Sequence, residues 1–131
     1  MTEYLSTDDV VDLYVIGVRA NGDAPQGLRD RGLLESAVMR AQFLAHYGDA
    51  DLFEQAAALA HGISHSQAFV DGNKRAGFQA VSIFLRINGH RLPDDRLAFA
   101  RVLLRMTEPG LDAAQGEHSL AAWLREHTTP A

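Results

Sequence analysis

Hydrophobic residues recur along most of this chain at steps of three and four, which is the spacing of amphipathic helices. The first such stretch begins at Ser6, where a hydroxyl is followed by acidic residues, and Asn21-Gly22 ends it. No window alternates with a period of two for long enough to predict a strand. The pattern predicts six helices: residues 6–21, 30–48, 51–64, 73–88, Pro93 to the break at Glu108-Pro109-Gly110, and 112–127.

Short segments connect these helices, and the connection at residues 22–29 contains two glycines and a proline. A chain of 131 residues is close to the usual size of one domain with one hydrophobic core. No internal repeat or linker divides it. The prediction is an all-α fold in which residues 1–131 form a single compact domain of about six helices.

Composition narrows the class of protein. Hydrophobic residues make up 47% of the chain and charged residues 22%, which is a globular balance. The absence of cysteine excludes disulfides, thiolate metal sites and a cysteine nucleophile. No basic start precedes an apolar run, and no apolar stretch reaches the length of a membrane span. We expect a soluble, cytoplasmic protein that does not enter a membrane.

The net charge of −5 is unevenly distributed. Residues 1–72 contain 11 acidic and 4 basic side chains, whereas residues 73–131 contain 6 acidic and 8 basic ones. A pI of about 5.6 argues against a DNA-binding surface, so we expect no DNA binding by the chain itself. The second half can still hold a local anion site, and Lys74, the only lysine of the chain, lies there.

The candidate chemistry lies in residues 67–75, which read Gln-Ala-Phe-Val-Asp-Gly-Asn-Lys-Arg. A turn at Gly72 that leads into a helix presents unpaired backbone N–H groups, and the helix dipole adds positive potential. Lys74 and Arg75 add two charges where cations are unfavourable unless an anion binds. Asp71 is placed to hold Mg²⁺ beside phosphate oxygens. This 67–75 segment predicts a site for nucleotide phosphates, and the simpler alternative is an ordinary turn before a solvated helix start.

The run from Phe69 to Arg75 resembles the active-site loop of the Fic/Doc proteins, in their death-on-curing (Doc) branch. The family loop reads His-x-Phe-x-(Asp/Asn)-(Gly/Ala)-Asn, followed by Lys-Arg in Doc proteins and by Gly-Arg in Fic proteins. Similar stretches flank it in this chain: Gly27-Leu28-Arg29-Asp30, Gly32 to Ala37, Ala56 to Ile63, and Phe84 to His90. The resemblance covers roughly residues 5–105.

The resemblance implies an all-helical toxin of a type II toxin–antitoxin pair. The lysine form of the loop is associated with transfer of a phosphoryl group from ATP to translation elongation factor Tu, and the glycine form with transfer of AMP. ATP is therefore the implied co-substrate and Mg²⁺ the implied cofactor. Lys74 and Arg75 are implied to bind phosphates, Gly72 and Asn73 to shape the anion site, and Asp71 to hold the metal.

The chain departs from the family at the motif histidine, which is replaced by Gln67. A primary amide cannot take the proton of an attacking hydroxyl near neutral pH. His65, Ser66 and Ala68 also differ from the usual Doc residues, which favours natural divergence over a single engineered change. Three interpretations remain open: Gln67 orients a substrate hydroxyl or water, His65 serves as the base in a shifted loop, or the protein binds without catalysing.

We therefore expect a Doc-like transferase with reduced or lost activity, whose candidate catalytic residues are Gln67, Asp71, Lys74 and Arg75. The alternative is a catalytically silent module that binds a nucleotide or a partner on the same scaffold. For the Doc branch the implied partner is an antitoxin protein, and its peptide is expected to lie over residues 22–29 and the first helices.

Two other constellations carry less weight. His61 and His65 have a spacing that can bind zinc, but no third ligand is evident, so packing or surface roles are the better interpretation. Arginines recur from Arg86 to Arg105 at steps near five, which do not line one helix face, and we interpret them as solvated.

Overall fold

The computed structural model describes residues 1–106 and 110–131, excluding the side chain of residue 113, and is built almost entirely of helices. Six α-helices occur in the described residues: α1 (Thr7–Ala20), α2 (Arg31–Gly48), α3 (Leu52–Ser64), α4 (Asn73–Ile87), α5 (Arg96–Arg105) and α6 (Ala113–His127). Two strands of two residues each, β1 (His90–Arg91) and β2 (Thr129–Pro130), complete the architecture. The all-α prediction is confirmed, apart from these strands.

Side-chain caps explain why most helices begin where the polar pattern predicts. The Ser6 hydroxyl accepts the Asp9 N–H, while the Asp9 carboxylate accepts the Ser6 N–H. Asp51 and Glu54 make the same reciprocal pair before α3. Asp30 accepts the N–H of Leu33 before α2. Each cap satisfies donors that the first helical turn leaves unpaired.

The prediction that the fifth helix begins at Pro93 is wrong by three residues. The N–H of Asp95 donates to the carbonyl of Pro93 at 2.8 Å, which forms a turn rather than a helix. The Asp95 carboxylate then accepts the N–H of Ala98 at 3.0 Å and caps α5, which begins at Arg96. An aspartate at the cap position is a stronger signal for a helix start than proline, and two aspartates follow Pro93 in the sequence. Glu108 and Pro109 of the predicted break lie outside the described residues.

The expectation that the chain has no strand is also corrected. After α4, Gly89 adopts a left-handed φ of +89° and turns the chain into β1. Strand β1 pairs antiparallel with β2, His90 opposite Pro130 and Arg91 opposite Thr129. Two-residue strands are too short for a period-two pattern, so hydrophobic spacing does not reveal them.

Helix α3 forms the centre of the core and packs against α2, α4 and α6. Its run of alanines and leucine from Ala56 to Ala60 is buried, so neighbouring helices approach its backbone closely. A close approach occurs at Gly77 of α4, where a Cβ atom would collide with Oγ of Ser64 and lie 2.9 Å from the carbonyl oxygen of Ala60. Glycine is required there because any larger residue would push α4 away from α3. This contact fixes the two helices that carry the 67–75 segment.

Hydropathy places no described helix across a membrane, because none combines the necessary length with sufficient apolar character.

Candidate functional site

The connection between α3 and α4 is held in shape by the aromatic side chains of Phe69 and Tyr14 and by the side-chain amide of Asn73. Asn73 binds both backbone groups of Phe69: its Oδ1 accepts the N–H at 3.0 Å, and its Nδ2 donates to the carbonyl at 3.0 Å. The Phe69 ring is 1% exposed and stacks on Tyr14 of α1, with ring centroids 4.0 Å apart. The Tyr14 hydroxyl donates to the carbonyl of Asp71 at 2.8 Å. Phe69 therefore points into the core, and the loop is anchored to α1.

Helix α4 begins without a side-chain cap. Gly72 occupies the N-cap position with φ +86°, and a Cβ atom there would lie 3.1 Å from Cε1 of Tyr14. Glycine therefore satisfies both a left-handed backbone and a close contact. The other described helices begin at a serine or aspartate that caps them. The first-turn N–H groups of α4 are thus left available to a ligand.

A cleft of about 630 Å³ opens at this helix start. It brings together the six residues that the sequence singled out: Gln67, Asp71, Gly72, Asn73, Lys74 and Arg75. It is also bordered by residues that sequence analysis did not assign to the site: Tyr14, Val18, Asp23, Ala24, Gln26, Ser64 and Val70. Lys74, Arg75 and the exposed start of the α4 dipole give this end of the cleft a positive potential.

Ser64 contributes a buried polar atom beside the cleft. Its residue is 5% exposed, and its Oγ has no hydrogen-bond partner in the part of the chain that the structure describes. A buried hydroxyl without a partner costs free energy, and this one packs against α4, where a Cβ atom at position 77 would collide with it. A serine near the end of an alanine-rich helix gives no such signal in the sequence.

The 22–29 loop lies beside the same cleft. Its Asp23, Ala24 and Gln26 border the opening. At its end, the N–H groups of Arg29 and Asp30 both donate to the carbonyl of Ala68, at 2.6 and 3.0 Å. The 22–29 loop therefore lies at the edge of the cleft that contains the 67–75 segment.

Gln67 and His65 occupy different environments. Gln67 borders the cleft with a left-handed φ of +58°. His65 is not among the cleft residues, and its Nδ1 lies 3.1 Å from the carbonyl oxygen of His61, to which it donates. Partial burial, followed by the charges of His61 and Lys74, lowers the pKa of His65, although its hydrogen bond to the His61 carbonyl opposes this. A lowered pKa favours the neutral ring of His65, but of the two residues it is Gln67 that borders the cleft.

His61 belongs to a partly buried cluster with Glu117 and Arg40. Its Nδ1 lies 2.9 Å from Oε1 of Glu117 on α6, and Arg40 of α2 pairs with the same carboxylate oxygen. Burial raises the pKa of Glu117, but the hydrogen bonds from His61 and Arg40 outweigh burial and leave that pKa below its usual value. The described residues contain no group of three or more candidate metal ligands. This cluster joins α2, α3 and α6.

The lowered pKa of Glu117 predicts a pH-dependent contribution to stability. The stabilisation is present above the unfolded-state pKa of about 4.3 and is lost as pH falls through the lower folded-state pKa. We expect Glu117→Gln to reduce the free energy of unfolding by about 1 kcal/mol at pH 7 and by less near pH 3.5. Urea unfolding of both proteins at the two pH values measures the difference. Glu35→Gln, on an exposed i,i+4 pair with Arg31, is the control; an effect of Glu117→Gln that is independent of pH would contradict the assignment.

Comparisons with known proteins agree with this geometry. Residues 4–85 match the Fic/DOC family. The chain is 42% identical over 97 residues to the protein named toxin Doc of Mycolicibacterium smegmatis, covering 72% of each chain. It is 29% identical over 92 residues to the protein named protein kinase doc of Escherichia phage P1, covering 70% of this chain and 72% of that protein.

Proposed function

Since this chain belongs to the Fic/DOC family, we propose that it is a Doc-type toxin that transfers the γ-phosphoryl group of ATP to a hydroxyl of a protein substrate. Transfer of AMP is the less favoured reaction, because the segment carries Lys74 where the AMP-transferring loops carry glycine. Elongation factor Tu is the first substrate to test. The proposed compartment is the cytoplasm, where this chain would meet ATP. The replacement of the motif histidine by Gln67 makes the transfer slow.

One observation carries the proposal: two cations stand at an uncapped helix start inside a cleft. Lys74 and Arg75 oppose the α4 dipole, so they destabilise the helix unless an anion offsets them. A bound phosphate would accept hydrogen bonds from the free N–H groups. It would also be attracted by the charge of the lysine and make a bidentate contact with the arginine. Asn73 and Gly72 hold the backbone in the shape that presents those donors.

The residues present also fit a magnesium-bound nucleotide. Asp71 accepts the N–H of Gly72 through Oδ1, at 2.9 Å, and Asp71 and Asp23 both border the cleft. Mg²⁺ is usually held by one or two carboxylates and phosphate oxygens, so Asp71 is the proposed ligand. When bound, the ion neutralises charge on the β- and γ-phosphates.

In the proposed reaction, the substrate hydroxyl oxygen forms a bond to the γ-phosphorus while the bond to the β–γ bridging oxygen breaks, and ADP leaves. Lys74 and Arg75 hold the phosphates in line for this displacement. The hydroxyl proton must depart, and the amide of Gln67 does not accept it at neutral pH. Gln67 therefore orients the hydroxyl, and the proton passes to solvent water. Phosphoryl transfer through a loose transition state depends less on a strong base than most reactions do. Transfer without the histidine is therefore expected to be slow.

The proposal is tested with ATP labelled separately on the α- and γ-phosphates, incubated with Mg²⁺ and purified elongation factor Tu or cell lysate. Label from the γ-phosphate alone on a protein supports the kinase reaction, and label from the α-phosphate indicates transfer of AMP. The Lys74→Ala variant is the matched control, because it should transfer neither label. Failure of both labels to transfer removes the enzyme proposal.

The second candidate is a module that binds a nucleotide or partner without catalysis. Gln67 at the position of the base is the observation that favours it. Calorimetry separates the two candidates: tight binding of magnesium–ATP combined with no transfer supports the binding module.

We also propose that an antitoxin neutralises this chain by covering α1 and the 22–29 loop. Ile16 of α1 is 64% exposed, although it is a large apolar side chain. Together with Leu13 it borders an apolar groove of about 290 Å³ between α1 and α4. The 22–29 loop continues from α1 to the cleft, so a peptide along this face would reach the anion site.

Hydrogen exchange with the product of the adjacent gene checks this placement. We expect slower exchange of backbone amides in residues 22–29 and in α1 when the partner is bound, because a docked segment excludes water from them. Ile16→Asp should weaken the complex, while Arg101→Asp, at an exposed position of α5, serves as the control. Protection confined to residues 110–131 would place the partner elsewhere.

A further inference from the structure

We propose that Arg29 is a positioning residue that holds the backbone of Gln67 in its left-handed conformation and thereby directs the position-67 side chain into the cleft. The structural part of this proposal stands on hydrogen bonds around the loop. Its consequence for catalysis rests on the proposed function.

The backbone at Gln67 is in a region that glutamine rarely adopts. Two non-glycine residues have a positive φ in the described chain, Gln67 at +58° and Asp49 at +52°. Asp49 ends α2, and short polar residues commonly take this conformation at helix ends. Gln67 lies in a loop, and its long side chain offers no such local hydrogen bond. The turn around it has one local support, the Ala68 N–H donating to Ser66 Oγ at 3.1 Å, and contacts from another part of the chain add to it.

Arg29 makes those contacts. Its Nη2 donates to the carbonyl oxygen of Gln67 at 2.5 Å, and its own N–H donates to the carbonyl oxygen of Ala68 at 2.6 Å. A second N–H, from Asp30, reaches the same Ala68 carbonyl at 3.0 Å. Two consecutive carbonyls, at 67 and 68, are thus turned toward one residue of the preceding loop. This orientation of the 67–68 peptide fixes the direction of the Gln67 side chain.

The positioning role of Arg29 is distinct from phosphate binding, because different residues perform the two roles. The proposed phosphate donors, Lys74 and Arg75, lie on α4, and Arg29 has no hydrogen bond or ion pair to either in the described structure. Losing the Arg29 side chain should therefore disturb what position 67 does while leaving the nucleotide contacts in place. In kinetic terms, kcat should fall and the KM for ATP should stay the same.

The structural test is NMR measurement of φ at position 67 in Arg29→Ala, without nucleotide. We expect the left-handed φ to be lost in this variant, with helical signals unchanged. Adding Gln67→Asn should restore a positive φ, because asparagine adopts this conformation more readily. Arg19→Ala is the control, since Arg19 is exposed at the end of α1 and its side chain makes no hydrogen bond or ion pair in the described chain. Retention of the positive φ in Arg29→Ala would overturn the proposal.

The functional test uses the Gln67→His background, where transfer is expected to be measurable. There, Arg29→Ala should lower kcat about 10- to 100-fold with the KM for ATP within about twofold, because a misplaced side chain loses rate rather than binding. An increase in KM with unchanged kcat would contradict a positioning role. If Gln67→His transfers nothing, the proposed function fails, and the NMR result still decides whether Arg29 positions residue 67.

Discussion

Gln67→His is expected to increase phosphoryl transfer by about 10²- to 10⁴-fold, with a matching increase in growth inhibition when the protein is expressed. A positioned general base contributes that factor, which corresponds to about 3–5 kcal/mol of the activation barrier. Gln67 borders the cleft beside the α4 start, so a histidine there would meet a hydroxyl aligned with bound phosphates. Transfer from γ-labelled ATP by the two proteins measures the effect.

The backbone favours this substitution. Position 67 has a φ of +58°, and histidine adopts the left-handed region more often than most non-glycine residues do. The histidine should therefore fit without moving the loop. Ala68 is fully buried and Ser66 bonds the carbonyl of Ile63, so the differences from the Doc pattern at these positions are accommodated by local packing.

His65→Ala distinguishes the remaining interpretation, in which His65 is the base. Its Nδ1 is already bonded to the carbonyl of His61 and its ring is not part of the cleft, so we expect His65→Ala to leave transfer nearly unchanged. Loss of transfer in His65→Ala together with no gain in Gln67→His would instead show that His65 acts as the base. No effect of either variant, combined with an inactive parent, would leave only the binding module.

Most of the fold could be predicted from the sequence, because most helices show both an apolar spacing of three and four and a capping residue at the start. The apolar spacing identifies the buried face of α1, and Ser6 and Asp30 begin the first two helices as capping residues. The sequence alone misplaces the start of α5 because Pro93 and Asp95 compete as start signals, and only the turn between them shows which one acts. The β1–β2 pair joins residues about 40 positions apart, and pairing at that distance leaves no local pattern.

The site could be predicted only where its residues are consecutive. The 67–75 segment carries its own chemistry, but the residues that shape it come from elsewhere in the chain. Tyr14 looks like a core residue of α1, and it is buried, yet its hydroxyl binds the carbonyl of Asp71. A tyrosine on an apolar face does signal that its hydroxyl needs a partner, but not which one. Arg29 gives no signal, because its contacts with residues 67 and 68 depend on how the 22–29 loop folds back.

The start of α4 leads to a prediction in which function and stability change in opposite directions. Lys74→Ala should weaken binding of magnesium–ATP by about 10- to 100-fold, since a charge-assisted phosphate contact is worth roughly 1.5–3 kcal/mol. Arg75→Ala should have a similar effect, and the double variant should not bind measurably. The free energy of unfolding without ligand should not fall, and should rise by about 0.3–1 kcal/mol, because a cation at a helix N-terminus opposes the dipole.

Calorimetry with magnesium–ATP and urea unfolding of the same proteins measure both quantities. Arg86→Ala is the matched control, because Arg86 lies in the last turn of the same helix, where a cation is favourable. Arg86→Ala should leave the affinity for magnesium–ATP unchanged and lower the free energy of unfolding slightly, whereas Lys74→Ala should weaken binding without lowering the free energy of unfolding. Equal affinity of Lys74→Ala and the parent would remove the phosphate site. A loss of stability in Lys74→Ala as large as its loss of binding would show that Lys74 supports the fold, and the argument from an unfavourable cation at the helix start would then fail.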